Sequence, residues 1–152
     1  MGLLKRMMAS GMALASPHMR ELGIRFVSVE PGVAVAMVPW RSDLVGDPIS
    51  GVLHGGVVTT LLDSTAGAAV FSKLSGFNPI ATLDLRIDYL RPSTPHLALY
   101  ARVECYKLTR SVAFTRGTAY NHDERDAVAS MAATFMLNTQ AQPHAKAEGG
   151  GG

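Results

Sequence analysis

The sequence predicts one α+β domain in which an antiparallel β-sheet wraps around one long central helix. Three observations carry this. Residues 54–74 form a helical run that is apolar nearly all round, and such a helix is buried rather than laid on a surface. Four strand-like stretches follow it between residues 82 and 137, joined by connections short enough to favour antiparallel pairing. The chain has 152 residues, 47% of them hydrophobic, which suffices for one sizeable core but not for two comfortable ones.

The elements follow in order. Residues 1–16 imitate a weak signal peptide, with Lys5-Arg6 ahead of a methionine-rich run. Leu3 and Leu4 precede the charges, however, and Ser10-Gly11 interrupts an apolar stretch far shorter than the ~20 residues of a membrane span, so a leader helix or flexible segment is expected. Pro17 to Gly23 suits a short helix ended by glycine. Ile24 to Glu30 and Val33 to Val38 read as a hairpin, because Pro31 presets the second turn position and Gly32 accepts positive φ at the third. Arg41 to Ser50 reads as a surface loop.

Beyond the helix, Thr82 to Tyr89 alternates, with Leu83, Leu85, Ile87 and Tyr89 on one face and Thr82, Asp84, Arg86 and Asp88 on the other. Leu97 to Tyr106 places Leu99, Ala101, Val103 and Cys105 inward. Ser111 to Tyr120 and Asp126 to Leu137 supply the last two strands, separated by the polar turn Asn121-His122-Asp123-Glu124. The domain is expected to span 17–138. Residues 139–152 lose apolar periodicity, end in four glycines, and read as a disordered tail.

Composition narrows the function. A net charge of +2 provides no basic stripe for a nucleic acid, though a few arginines could hold a phosphorylated small molecule. One cysteine, Cys105, allows neither a disulfide framework nor a multi-cysteine metal site, and the default compartment is the cytoplasm. His18, His96, His122 and His144 show no metal-ligand spacing. No metal and no membrane partner are expected. The residue that needs explaining is Asp63, the one acid in the long helix, because an ionised carboxylate in apolar surroundings is costly without a task or a partner.

Leu53-His54-Gly55-Gly56, then Asp63, then Thr82-Leu83-Asp84-Leu85-Arg86-Ile87-Asp88-Tyr89-Leu90-Arg91-Pro92 occur in this order and spacing. Over about residues 22–138 the chain resembles the hotdog-fold acyl-CoA thioesterases of the phenylacetate-degradation (PaaI-like) group. The resemblance implies hydrolysis of an acyl-CoA, with coenzyme A as part of the substrate and no separate cofactor. It implies that Asp63 is the general base or the nucleophile, that Thr82 helps position the water or the carboxylate, and that His54 shapes the turn and contacts the thioester region. Many relatives carry Asn six residues before the histidine. This chain has Pro48 there, so that contact is lost or passes to Asp47 or Ser50, and the substrate can differ accordingly.

Elementary chemistry agrees with the pattern. Backbone N–H groups at a helix N-terminus, here those of Gly55 and Gly56, can stabilise the oxyanion of a thioester under attack. Asp63 lies eight residues from Gly55, and at ~1.5 Å per residue that is roughly 12 Å along one helix. A complete site therefore needs Gly55 of one protomer and Asp63 of another, in agreement with the obligate homodimer and the dimer of dimers that the resemblance implies. Arg91, Lys107 and Arg110 flank strand ends and are candidates for the CoA phosphates. The expected acyl group is a small aromatic or a short-to-medium chain. Two alternatives stay open: a hotdog acyl-CoA binder or sensor without turnover, and a hotdog dehydratase or hydratase, which is weakened because the proline-bounded histidine motif of those families is absent around His54.

Overall fold

A computed structural model of the chain describes residues 16–76 and 78–137. The expected leader, but for Ser16, and the expected tail lie outside the described residues. Helix α1 (Pro17–Leu22) starts with the Ser16 hydroxyl accepting the Met19 N–H and stops at Gly23, which adopts φ +76°. Strands β1 (Arg25–Glu30) and β2 (Val33–Val38) form the expected hairpin, with Gly32 at φ +82°. The expected loop is better ordered than its composition suggests. It holds a 3-10 turn (Ser42–Leu44) and a strand, β3 (Val45–Asp47), that pairs with β4 (Val52–Leu53) just beyond the loop in a small ribbon.

Helix α2 (Gly55–Lys73) follows, then β5 (Ile80–Tyr89), β6 (Leu99–Leu108), β7 (Val112–Tyr120) and β8 (Ala129–Leu137). The main sheet runs β1-β2-β6-β7-β8-β5, antiparallel throughout. Strands β6, β7 and β8 are a meander as their short turns demand. β5 is not part of it: the segment after Tyr89 carries the chain away, so among the described residues β5 pairs only with β8 and forms one edge of the sheet.

The sheet curls around α2, which packs chiefly on β2, β6 and β7. Close approach follows from small facing side chains: Ala66 and Ala69 on the helix, and Ala34, Ala36, Ala101, Ala113 and Ala119 on the sheet, are all buried. Leu61, Leu62 and Val70 fill the space between, each contributing about 1.5–3 kcal/mol by burial.

Two expectations are corrected. The helix is not enclosed on every side: Gly55 and Gly56 are exposed, and Thr59, Thr60, Asp63, Ser64 and Gly67 are half-buried, so a stripe of small and polar residues stays open. Nor does β5 alternate cleanly. A bulge at Leu83 separates the pairs Thr82 with Phe135 and Asp84 with Thr134. Phe135 and Ala133 are buried on the helix side, so their partners Thr82 and Leu85 both face the helix, although strict alternation had put them on opposite faces. No helix among the described residues is long and apolar enough to cross a membrane.

Candidate active site

The site is built around the start of α2. His54 caps the helix, and its ring Nδ1 accepts the Gly56 N–H at 2.8 Å. The His54 carbonyl accepts the Val57 N–H at 2.9 Å, and its own N–H donates to the Leu44 carbonyl at 2.9 Å. A Cβ at Gly46 would sit 3.0 Å from the His54 Cα, so glycine is what lets the β3–β4 ribbon lie against the cap. Ser93, itself buried, accepts the Leu53 N–H at 3.1 Å from beneath.

These contacts distinguish the two glycines at the helix start, of which Gly55 is the expected oxyanion donor. The Gly56 N–H is taken by His54, whereas the Gly55 N–H has no acceptor among the described residues and is exposed. Gly55 is thus the open donor at the positive end of the helix.

Two turns along, the Thr82 hydroxyl donates to Asp63 Oδ1 at 2.9 Å. Asp63 is half-buried and has no ion-pair partner among the described residues. The bulge at Leu83 makes this contact possible by turning Thr82 toward the helix.

Pro48 lies in the β3–β4 turn and lines a cleft of about 280 Å³ with Trp40, Ile49 and His96. The two residues that could have replaced the missing amide contact are tied to each other. Asp47 accepts the Ser50 hydroxyl at 2.6 Å and the Ile49 N–H at 3.0 Å, and the Ser50 hydroxyl leads the contacts that hold its carboxyl below the usual carboxylate range.

The three candidate phosphate ligands are not brought together. Arg91 follows β5 at the end of the sheet where Tyr89 meets Ala129, and is bonded to the Asp126 carboxylate at 3.1 Å and to the Pro92 and Asp126 carbonyls. Lys107 and Arg110 are exposed at the β6–β7 turn, at the end where Ile80 meets Leu137 and Val112 meets Met136. A ten-residue strand spans ~30 Å, so within one chain these groups cannot grip one phosphate.

Sequence reasoning missed Tyr89 as a site residue. Its hydroxyl donates to the Gly55 carbonyl at 3.0 Å, and an aromatic in an alternating strand carries no signal of that contact.

The chain matches the thioesterase superfamily over residues 50–128, the stretch that holds His54, Gly55, Asp63 and Thr82. It belongs to that family. A medium/long-chain acyl-CoA thioesterase, YigI of Salmonella typhimurium, is 31% identical over 134 residues, covering 80% of this chain and 85% of that protein. Among solved structures, a thioesterase family protein from Silicibacter pomeroyi is 29% identical with a TM-score of 0.78, covering 90% of this chain and 98% of the other. A mutant of the phenylacetic acid degradation protein PaaI from Thermus thermophilus is 28% identical with a TM-score of 0.70, covering 80% of this chain and 98% of the other. The fold is accordingly the hotdog thioesterase fold, and the enzyme class of the superfamily is thioester hydrolysis.

Proposed function

We propose that this thioesterase hydrolyses acyl-CoA to the free acid and CoA, using Asp63 and Thr82 of one chain with Gly55 of a second. The observation that carries the reading is the pairing of an open Gly55 N–H with a carboxylate that has a hydroxyl donor and no cation among the described residues. An unneutralised carboxylate can take a proton from water, or attack the thioester carbon itself, while a free backbone N–H stabilises the oxyanion that forms. Thr82 holds Asp63 in one orientation for either role.

Two chains are needed because ~12 Å of helix separates the two groups. The β5 edge supplies the means. It is ten residues long and, among the described residues, unpaired on one side, and it exposes Leu83 and Tyr89 with Leu90 just beyond, a combination that favours strand addition. A two-fold antiparallel pairing that brings Asp63 and Thr82 of one chain beside the Gly55 and Tyr89 end of the other puts the axis near Leu85 and Arg86. The same pairing turns the end carrying Lys107 and Arg110 toward the side of the neighbour's Gly55, where a CoA phosphate could reach them.

The acyl group is a small aromatic or a short-to-medium chain, with the cleft of Trp40, Pro48, Ile49 and His96, which Ser42 and Ser50 also line, as its surroundings; the naming of the Salmonella relative makes longer chains the next to test. An acyl-CoA panel with chromogenic detection of released CoA thiol tests the reading. Asp63→Asn is expected to reduce turnover by at least about 100-fold while the fold is retained. One observation favours the binder alternative: Pro48 offers no donor and Asp47 is engaged with Ser50. Tight acyl-CoA binding without thiol release from any substrate would establish that alternative instead.

A further inference from the structure

We propose that Tyr89 and Thr59 are positioning residues that clamp the Gly55–Gly56 peptide and so aim the Gly55 N–H at the substrate. The inference rests on the hydrolase reading above. The Gly55 carbonyl accepts two hydroxyls, Thr59 Oγ1 at 3.0 Å from the next helical turn and Tyr89 at 3.0 Å from the edge strand. At the other end of the same peptide the Gly56 N–H is held by His54 Nδ1 at 2.8 Å. The preceding peptide is held too, since the His54 carbonyl accepts the Val57 N–H.

The clamp answers a local problem. Gly55 and Gly56 are the most permissive residues available for a helix start, and the first N–H groups of a helix have no partners within it. Without fixation the two peptides could rock about the Gly55 Cα, and the unbonded N–H would sweep an arc. An oxyanion donor must instead be held before reaction, because donors that reorganise during it stabilise less. A threonine bonding back to the carbonyl four residues earlier is common in helices, so Thr59 alone would mean little. Tyr89 differs: it comes from 34 residues away, on the strand whose other end holds Thr82 against Asp63. A Cβ at Gly55 would lie 3.3 Å from the Tyr89 hydroxyl, so the ring also limits what can stand at that position. One strand therefore braces both halves of the chemistry.

The test compares wild type, Tyr89→Phe, Thr59→Val and the double variant by steady-state kinetics on a reactive acyl-CoA and by hydrogen exchange of the Gly55 and Gly56 amides. Tyr89→Phe keeps the ring and removes the hydroxyl, and with it both the bond to the Gly55 carbonyl and the 3.4 Å contact with Thr59 Oγ1. The expected result is a kcat lowered about tenfold, within the range that misplacement of a reacting group produces, with KM unchanged. Exchange at Gly56 is expected to quicken. The double variant should lose less than the product of the single losses, because both hydroxyls serve one carbonyl. Unchanged kcat and unchanged Gly56 exchange in a folded Tyr89→Phe protein overturn the clamp while leaving the hydrolase reading intact. If the wild type releases no thiol from any acyl-CoA, the hydrolase reading fails and the clamp loses its catalytic purpose, an outcome that the exchange data distinguish from a clamp that was never present.

Discussion

The Thr82 hydroxyl donates to Asp63 Oδ1 at 2.9 Å, linking an edge strand to the middle of the central helix. A bulge at Leu83 is what lets it do so. Thr82→Val keeps the shape and removes the donor, leaving the carboxylate free to rotate. A hydrogen bond to a charged group contributes about 1.5–3 kcal/mol, and kcat is expected to fall about 10- to 100-fold. Thr82→Ser should restore most of it. Full activity in the valine variant would remove Thr82 from the site.

The proposed two-fold pairing of β5 makes a geometric prediction. Arg86 is exposed and near the expected axis, so Arg86→Cys should yield a disulfide-linked dimer on mild oxidation. Native Cys105 will not compete, because it is 2% exposed and burial raises its thiol above the ordinary value. Asp126→Cys, at the sheet end, serves as the comparison and should stay uncrosslinked. A species that is monomeric by sedimentation and fully active would refute the shared site.

Gly117 lies on β7 where the strand is pressed against its neighbour β6. An added Cβ would collide with the Arg102 carbonyl and meet the Val103 Cγ2 at 2.7 Å. Backbone cannot yield as a flexible side chain would. Gly117→Ala is expected to cost about 1–3 kcal/mol, read as a shift in the denaturant midpoint. An unshifted midpoint would mean that β6 and β7 separate more easily than their register suggests.

The Asp47 carboxyl is held below its ordinary value of 3.8, first by the Ser50 hydroxyl and then by the Ile49 N–H. A depressed folded value means that the turn's extra stability is present above the ordinary carboxylate range and is lost as pH falls through the lower folded value. The Ile49 and Ser50 amide resonances should titrate with a midpoint below 3.8, and Asp47→Asn should abolish that step. A midpoint at or above the ordinary value would mean that the turn does not depend on the carboxylate.

Much of this molecule follows from local patterns. The hairpin turn at Pro31-Gly32, the helix from Gly55 to Lys73 and the inward set Leu99, Ala101, Val103 and Cys105 are all encoded within a few residues of where they act, since turn geometry and side-chain period are short-range properties. The same holds for Asp63, conspicuous as a lone acid in an apolar helix. The strand order was not local. β5 pairs with β8, which lies beyond β6 and β7 in the chain, and nothing in its own sequence specifies that partner. Three facts about the site likewise came only with the tertiary structure: Thr82 facing inward across a bulge, the Gly56 amide captured by His54 while that of Gly55 stays open, and Tyr89 reaching the helix start. Each is a hydrogen bond whose geometry depends on how the backbone is turned, and residue types and spacing alone do not determine that.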